Sequence, residues 1–258
     1  MMATWTTGHL LALLIGLSLG LIGSGGSILA VPILVYVLGL SAKEAIAMSL
    51  AIVGIVSLIG VVPHWKLGNV NLRTAIAFTP PAMIGAFIGA RFAALPWITD
   101  TIQLVCFAIM MLIASYFMIR KPAEKSDHVE LFVSQKHQPR YPWLAITLEG
   151  LGVGIVTGFV GVGGGFAIIP ALVLLGKIPM KEAIGTSLLI ITFKSATGFI
   201  GYFNQVAIDW NLMLTFSTVA VLGLIWGAYF SGKIQGEKLR QTFGYFLIAV
   251  AIFILIKR

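Results

Sequence analysis

Charged residues are scarce in this sequence. Asp, Glu, Lys and Arg make up 10% of the 258 residues, whereas about a quarter of the residues in a soluble domain are charged. Hydrophobic residues make up 59%, and the mean hydropathy is +1.01. A soluble fold has no use for so much apolar surface, so the composition excludes soluble classes and predicts an integral membrane protein.

Other absences narrow the class further. A single cysteine, Cys106, excludes an internal disulfide. No Lys or Arg precedes Lys43, so the basic start of a secretory signal is missing and the first apolar segment is predicted to be retained. The four histidines have no metal-ligand spacing with Cys, Asp or Glu. There is no nucleophile–base pattern either, so we predict no metal, no cofactor and no enzyme activity.

The net charge of +8 does not indicate a nucleic-acid partner. Its Lys and Arg residues are dispersed between apolar segments, which is typical of the loops of a membrane protein. The predicted partners are therefore membrane lipid and a small solute. The sequence leaves the oligomeric state open, with a homodimer as one alternative.

Long apolar runs dominate the chain. Six could cross a bilayer, for which a helix needs about 20 residues, although the last is short unless it begins nearer Leu239: Ala45–Val62, Thr74–Leu95, Ile98–Ile119, Ile184–Phe203, Leu212–Ser231 and Phe243–Ile256. Two longer runs, His9–Leu40 and Trp143–Gly176, carry a cluster of glycines near the middle. This pattern predicts an all-α membrane protein, a polytopic helical bundle.

The two glycine-broken runs are related in sequence. "GSGGSILAVP" at Gly23–Pro32 aligns with "GVGGGFAIIP" at Gly161–Pro170 at an offset of 138 residues, and the same offset aligns the two "KEAI" tetrapeptides. A constant register over such a span indicates gene duplication. We therefore predict two transmembrane repeats, 1–120 and 143–258, joined by a polar cytoplasmic linker over 121–142.

The orientation of the repeats depends on the form of each glycine-broken run. A single kinked crossing gives parallel repeats and divides the loop Lys and Arg residues nine to seven between the two sides. A hairpin or re-entrant segment gives inverted repeats and divides them twelve to four. Because cytoplasmic loops are rich in Lys and Arg, the second division fits better, and we predict inverted repeats with both termini outside.

The glycine clusters predict an anion site. Non-helical backbone at membrane depth is tolerated only where it is buried in protein or lines a cavity, and matching breaks in two repeats point to a transporter's binding site. The half-helix after each break starts with free N–H groups at the positive end of its dipole. The predicted ligands are Gly23, Ser24, Gly25, Gly26, Ser27, Gly161, Gly163, Gly164, Gly165, Ser49, Thr186, Ser187 and Lys194.

Several of these residues have a structural alternative. The hydroxyls of Ser49, Thr186 and Ser187 could bond to backbone instead of a ligand, and the glycine clusters could serve close helix packing. For the GxxxG pairs Gly85/Gly89 and Gly223/Gly227, close packing is the favoured interpretation.

Lys194 is the most unusual residue. It lies in the middle of an apolar segment, "LLIITFKSATGF", where the first half has Val56. A lysine at the bilayer centre costs about 2.5–3.5 kcal/mol, and such residues are functional candidates by default. The alternatives are an anion ligand, a proton-coupling group, or a snorkelling side chain that reaches the membrane surface.

The paired "GSGGSILAVP" and "GVGGGFAIIP" motifs, with "KEAIAMSL" and "KEAIGTSL", resemble the TauE/SafE family of membrane transporters, the sulfite exporter family. The resemblance covers nearly the whole chain. It implies transport of sulfite, sulfoacetate or related small anions across the bacterial inner membrane, commonly outward. The family motif falls on Gly23, Gly25, Gly26, Pro32, Gly161, Gly163, Gly164 and Pro170, and it implies nothing for Lys194.

We therefore expect a secondary transporter that exports a small anion by alternating access, with the anion bound near the midplane between the glycine breaks. An anion channel with the same donors is the first alternative. A membrane-embedded enzyme or sensor, with Lys194 as a Schiff-base lysine, is the second.

Overall fold

The computed structural model describes residues 2–23, 25–93, 100–120, 143–160, 165–202 and 208–257. The regular structure in these ranges is helical, which confirms the all-α prediction. The helices are α1 (Met2–Ile22), α2 (Gly25–Tyr36), α3 (Ala42–Lys66), α4 (Leu72–Ala93), α5 (Asp100–Ile119), α6 (Trp143–Val160), α7 (Gly165–Pro170) with a π-helical turn (Ala171–Leu175), α8 (Met180–Tyr202), α9 (Trp210–Lys233) and α10 (Gly236–Lys257).

Five of these helices are long and apolar enough to cross a bilayer. Their spans are Glu44–Lys66, Leu72–Gly89, Met180–Ile200, Trp210–Lys233 and Gly236–Ile256. Shorter apolar helices lie at Thr6–Ile22, Gly25–Tyr36, Ala108–Ile119 and Ile146–Phe159. The chain is therefore a multi-pass membrane protein.

Polar side chains start several of the helices. Ser41 and Glu44 form a reciprocal capping box at the start of α3. Asn71 before α4 and Asp209 before α9 each accept a hydrogen bond from the amide three residues on, at 3.0 Å. These two N-caps are 138 residues apart, so equivalent helices of the two halves start in the same way.

The first glycine-broken run is a helical hairpin. A Cβ on Gly26 would meet the carbonyl oxygen of Ile15 and the side chain of Leu19, and one on Gly8 would stand 2.9 Å from the side chain of Leu38. In an unbroken helix residues 15 and 26 would be about 16 Å apart. Because they are in contact instead, α2 runs back along α1, and the hairpin form of this run is the one that the structure contains.

Glycines hold two pairs of helices together at backbone contact. A Cβ on Gly154 or Gly158 of α6 would collide with the carbonyl of Ala82 or Ala86 of α4. One on Gly16 or Gly20 of α1 would collide with the carbonyl of Ala220 or Leu224 of α9. Each contact of one interface maps onto a contact of the other at the 138-residue offset, and in both interfaces the paired helices run parallel.

The GxxxG pairs take part in the same two interfaces. Gly85 and Gly89 pack on the backbone of α6 around Leu151 and Ile155, and Gly223 and Gly227 pack likewise on α1. The prediction that these glycines serve close helix packing is thus confirmed.

The equivalent helices α3 and α8 cross each other in opposite directions. Leu50 lies opposite Gly198, Gly54 opposite Ser195, and His64 opposite Gly185. Parallel repeats would make equivalent helices run the same way, so this antiparallel crossing supports inverted repeats. The crossing is centred near Val56 of α3 and Lys194 of α8, which are equivalent positions.

The turns that follow the two short helices also correspond. Gly39 has φ +73° and Lys177, at the equivalent position, has φ +49°. Inverted repeats would place the turn at Gly39 and the turn at Lys177 on opposite sides of the membrane. The side with Lys177 would then be the one for which the sequence predicts twelve Lys and Arg residues.

Candidate functional site

The first break turns the chain at Gly23. Its amide still donates to the carbonyl of Leu19 at 2.7 Å, as the last bond of α1. Its φ of +82° then takes the backbone out of the helix into a conformation that favours glycine. Ser24 lies outside the described residues, and α2 starts at Gly25.

The next glycines are buried and closely packed. A Cβ on Gly25 would stand 3.2 Å from the ring of Phe246 in α10, and Gly26 lies against α1. Ser27, in the first turn of α2, is 6% exposed. Close packing is therefore one structural reason for glycine at positions 25 and 26, alongside any role toward a ligand.

The described part of the second glycine cluster is Gly165. Gly161, Gly163 and Gly164 lie outside the described residues. Gly165 starts α7 and is buried. Residues that flank both breaks, Ile22, Ile28 and Ile169, belong to one buried cluster, so the two short helices α2 and α7 share a core.

Ser187 lies beside the first break. A Cβ on Gly23 would stand 2.8 Å from Ser187 Oγ. The Ser187 hydroxyl donates to Ile184 O at 2.8 Å, and the equivalent Ser49 donates to Ile46 O at 2.9 Å. Both hydroxyls donate their hydrogen bonds to backbone carbonyls in this structure, so the two hydroxyl oxygens remain available only as acceptors.

Thr186 belongs to a different contact. Its Oγ1 accepts a hydrogen bond from the backbone amide of Asn71 at 2.9 Å, and the Asn71 side chain donates to Glu182 Oε1 at 2.7 Å. These bonds fasten the start of α8 to the turn between α3 and α4. The structure therefore separates Thr186 from Ser187, its neighbour in sequence.

Lys194 points to α6. Its Nζ donates to Thr157 Oγ1 at 2.5 Å, and the Thr157 hydroxyl donates to Gly154 O at 3.1 Å. Thr157 is 2% exposed, and Lys194 is half-buried. No carboxylate of the described residues forms an ion pair with Lys194, since their side-chain ion pair joins Arg240 to Glu237 at 2.8 Å.

The predicted ligands of α8 share one face of the helix but not one depth. Ser187 and Lys194 are seven residues apart, which is two turns and about 10 Å along the axis. Gly23 touches α8 at the level of Ile184 and Ser187, near its N-terminal end. The structure brings Gly23 and Ser187 together and places Lys194 deeper, at the centre of the crossing.

Three polar residues of the described helices had no role in the sequence prediction. Thr157 holds Lys194. His64 is 1% exposed, with Nε2 3.4 Å from Gly20 O, three residues before the first break. Glu149 in α6 has a buried Oε1 without a hydrogen-bond partner. The rule that singles out Lys194, a charge inside an apolar run, would also have found Glu149.

A membrane protein whose described residues form helices, with a glycine-broken hairpin in its first run and a lysine inside an apolar membrane-length helix, has the features of a membrane transporter. The family model of the sulfite exporter TauE/SafE matches residues 9–254. The chain belongs to this family.

Relatives with the same kind of name cover nearly the whole chain. It is 33% identical to a probable membrane transporter protein of Xylella fastidiosa over 94% of this chain and 91% of the relative. It is 28% identical to one of Haemophilus influenzae over 96% and 97%. The probable membrane transporter protein YdhB of Bacillus subtilis is 26% identical over 87% of each chain. No solved structure matches the chain.

Proposed function

We propose that the protein is a secondary transporter that exports a small anion, sulfite or a related sulfur-containing or organic anion, across the bacterial inner membrane. The anion binds near the midplane beside Lys194, and the two glycine breaks lie on either side of it along the path. The family's description as a sulfite exporter supports this substrate class.

The observation that carries the proposal is the unpaired charge of Lys194. Its ammonium donates a hydrogen bond to the neutral hydroxyl of Thr157, and that hydroxyl donates its own hydrogen bond to Gly154 O. Thr157 can therefore only accept, and two of the three ammonium N–H groups remain for another partner. Cations at membrane depth pair with an opposite charge or with backbone carbonyls, and a small anion would supply such a charge.

The first break offers a route from one side of the membrane to this cation. Gly23 and the start of α2 lie beside Ser187, and Ser187 shares its α8 face with Lys194. Inverted repeats would provide a matching route from the other side of the membrane through the second break. Movement of one repeat against the other would then open one break at a time.

The membrane potential favours export of an anion. An anion that leaves a negative-inside cell gains about 2.3 kcal/mol per charge per 100 mV. A potential-driven carrier of this kind requires no ATP-binding motif. The sequence contains no P-loop motif of the form G-x-x-x-x-G-K-[ST].

Binding to purified protein tests the role of Lys194. We expect thermal-shift screening to select among sulfite, sulfate, thiosulfate, sulfoacetate and carboxylates. Lys194→Gln should then weaken binding of the selected anion roughly tenfold or more, because a charge-assisted contact is lost. Lys181→Gln is the matched control, since Lys181 carries the same charge at the exposed end of α8, where it donates to Gly232 O. Equal affinity of wild type and Lys194→Gln would remove Lys194 from the site.

Flux into liposomes separates the carrier from the channel alternative. A carrier shows saturable uptake and counterflow of labelled sulfite against unlabelled sulfite, whereas a channel of the same architecture gives ohmic currents without counterflow. Ohmic currents would contradict the alternating-access mechanism and would support an anion channel with the same anion site.

A further inference from the structure

We propose that Thr157 is a positioning residue for Lys194, and that its hydroxyl holds the ammonium where the anion binds. The inference rests on the proposed role of Lys194 as an anion ligand. It adds a residue on a different helix, 37 positions away in the chain.

The hydrogen bonds around Thr157 run in one direction. The Thr157 hydroxyl donates to Gly154 O at 3.1 Å and accepts from Lys194 Nζ at 2.5 Å. Because the hydroxyl donates its hydrogen bond to the backbone, the hydroxyl oxygen accepts from the ammonium through its lone pairs. The contact orients the cation without neutralising it. A carboxylate at this position would neutralise it.

Thr157 stands on a rigid support. Gly154, which accepts the Thr157 proton, packs at backbone contact on Ala82 of α4, and Gly158 packs in the same way on Ala86. Lysine has a flexible four-carbon stem, so an unanchored ammonium would sample many positions. Anchoring it on α6 before the anion arrives lowers the cost of binding.

The first half shows what replaces this pair when no cation is present. The positions equivalent to Thr157 and Lys194 are Leu19 and Val56, which are fully buried in the same apolar cluster. Both members of the polar pair are thus apolar in the first half and polar in the second. A hydroxyl at position 157 goes together with the lysine at position 194, as a positioning role requires.

Anion affinity of single variants tests the role of the hydroxyl. Thr157→Val keeps the side-chain shape and removes the acceptor, and we expect it to weaken sulfite binding roughly tenfold in titration calorimetry. Thr157→Ser should restore binding to near the wild-type value. Thr79→Val is the matched control: Thr79 is a buried threonine of α4 that bonds to Ala75 O at 2.7 Å and has no lysine partner.

Unchanged or tighter binding by Thr157→Val, or failure of Thr157→Ser to restore it, would overturn the positioning role. If Lys194→Gln also binds sulfite like wild type, the proposed function fails as well. A loss confined to Lys194→Gln contradicts the role of Thr157 alone, so the two failures are distinguishable.

A double-mutant cycle tests the contact without any anion. Thr157→Val and Lys194→Met should shift the unfolding temperature non-additively in detergent, because the two side chains interact directly. Thr79→Val combined with Lys194→Met should be additive. Additive shifts for the first pair would show that the contact does not form and would overturn the inference.

A double variant controls for misfolding. Thr157→Leu combined with Lys194→Val reproduces the apolar pair of the first half, and we expect it to fold and to lose sulfite binding. Retained sulfite binding by this folded variant would contradict the inference.

Discussion

Gly154 of α6 and Ala82 of α4 touch through their backbones: a Cβ on Gly154 would stand 2.9 Å from the Cα of Ala82. The equivalent pair, Gly16 of α1 and Ala220 of α9, has the same 2.9 Å separation. Each half therefore contributes one helix to each interface, and both interfaces require glycine at the same register position.

The glycine contacts predict that Gly154→Ala destabilises the protein by about 1–3 kcal/mol, because the added methyl group overpacks the contact. Gly16→Ala should act in the same way. Gly152→Ala is the matched control, since a Cβ at this position of α6 meets nothing within 4 Å. Thermal unfolding in detergent measures the effect, and equal unfolding temperatures for the Gly152 and Gly154 variants would contradict the close contact.

Gly23 combines two constraints that can be separated. Its φ is +82°, and a Cβ would stand 2.8 Å from Ser187 Oγ. Gly68 has a similar φ of +72° with nothing within 4 Å. We expect Gly68→Ala to cost about 1–2 kcal/mol from the left-handed backbone alone, and Gly23→Ala to cost more because it also pushes α8 away.

Unfolding temperatures of these two variants, measured side by side, give the comparison. If Gly23→Ala is no less stable than Gly68→Ala, then the first break does not lie against α8 as described.

Sequence patterns predicted the helices and the packing role of the GxxxG pairs, because these depend on local spacing. They could not predict which helix Gly85 and Gly89 would meet, because the partner positions on α6 lie more than 60 residues away. The hydrogen bond from Lys194 to Thr157 could not be predicted from the sequence for the same reason, since a bond between two helices depends on how they pack.

Grouping Thr186 with Ser187 shows a second limit. Adjacent residues of a helix point about 100° apart, so they rarely serve the same partner. Ser187 faces Gly23, whereas Thr186 accepts from the backbone of Asn71. Neighbouring hydroxyls in sequence therefore do not establish a common site.

Asn71 has a larger role than its counterpart Asp209. Both cap a helix, but the Asn71 side chain also donates to Glu182 Oε1 at 2.7 Å. Asp209→Ala should cost about 1 kcal/mol for the lost cap. Asn71→Ala should cost more, because it also leaves the Glu182 carboxylate without this donor.

Asn71→Asp sharpens this comparison. It keeps a good N-cap, the one that the second half uses, but it sets a second carboxylate against Glu182. We expect it to lower the unfolding temperature at neutral pH, whereas Asp209→Asn should leave it nearly unchanged. An Asn71→Asp protein as stable as wild type would mean that the bond to Glu182 contributes nothing.

The inverted relation of the two halves can be tested at a single pair of equivalent positions. Gly39 and Lys177 are 138 residues apart, both follow a short helix, and both have positive φ. Inverted repeats put them on opposite sides of the membrane, whereas parallel repeats put them on the same side.

In a Cys106→Ala background, Gly39→Cys should react with an impermeant maleimide added to whole cells, and Lys177→Cys should react only after the cells are permeabilised. The direction follows from the excess of Lys and Arg on the side of Lys177, since that side is expected to face the cytoplasm. Labelling of both cysteines in whole cells, or of neither, would establish parallel repeats and would also remove the basis for two routes that approach Lys194 from opposite sides.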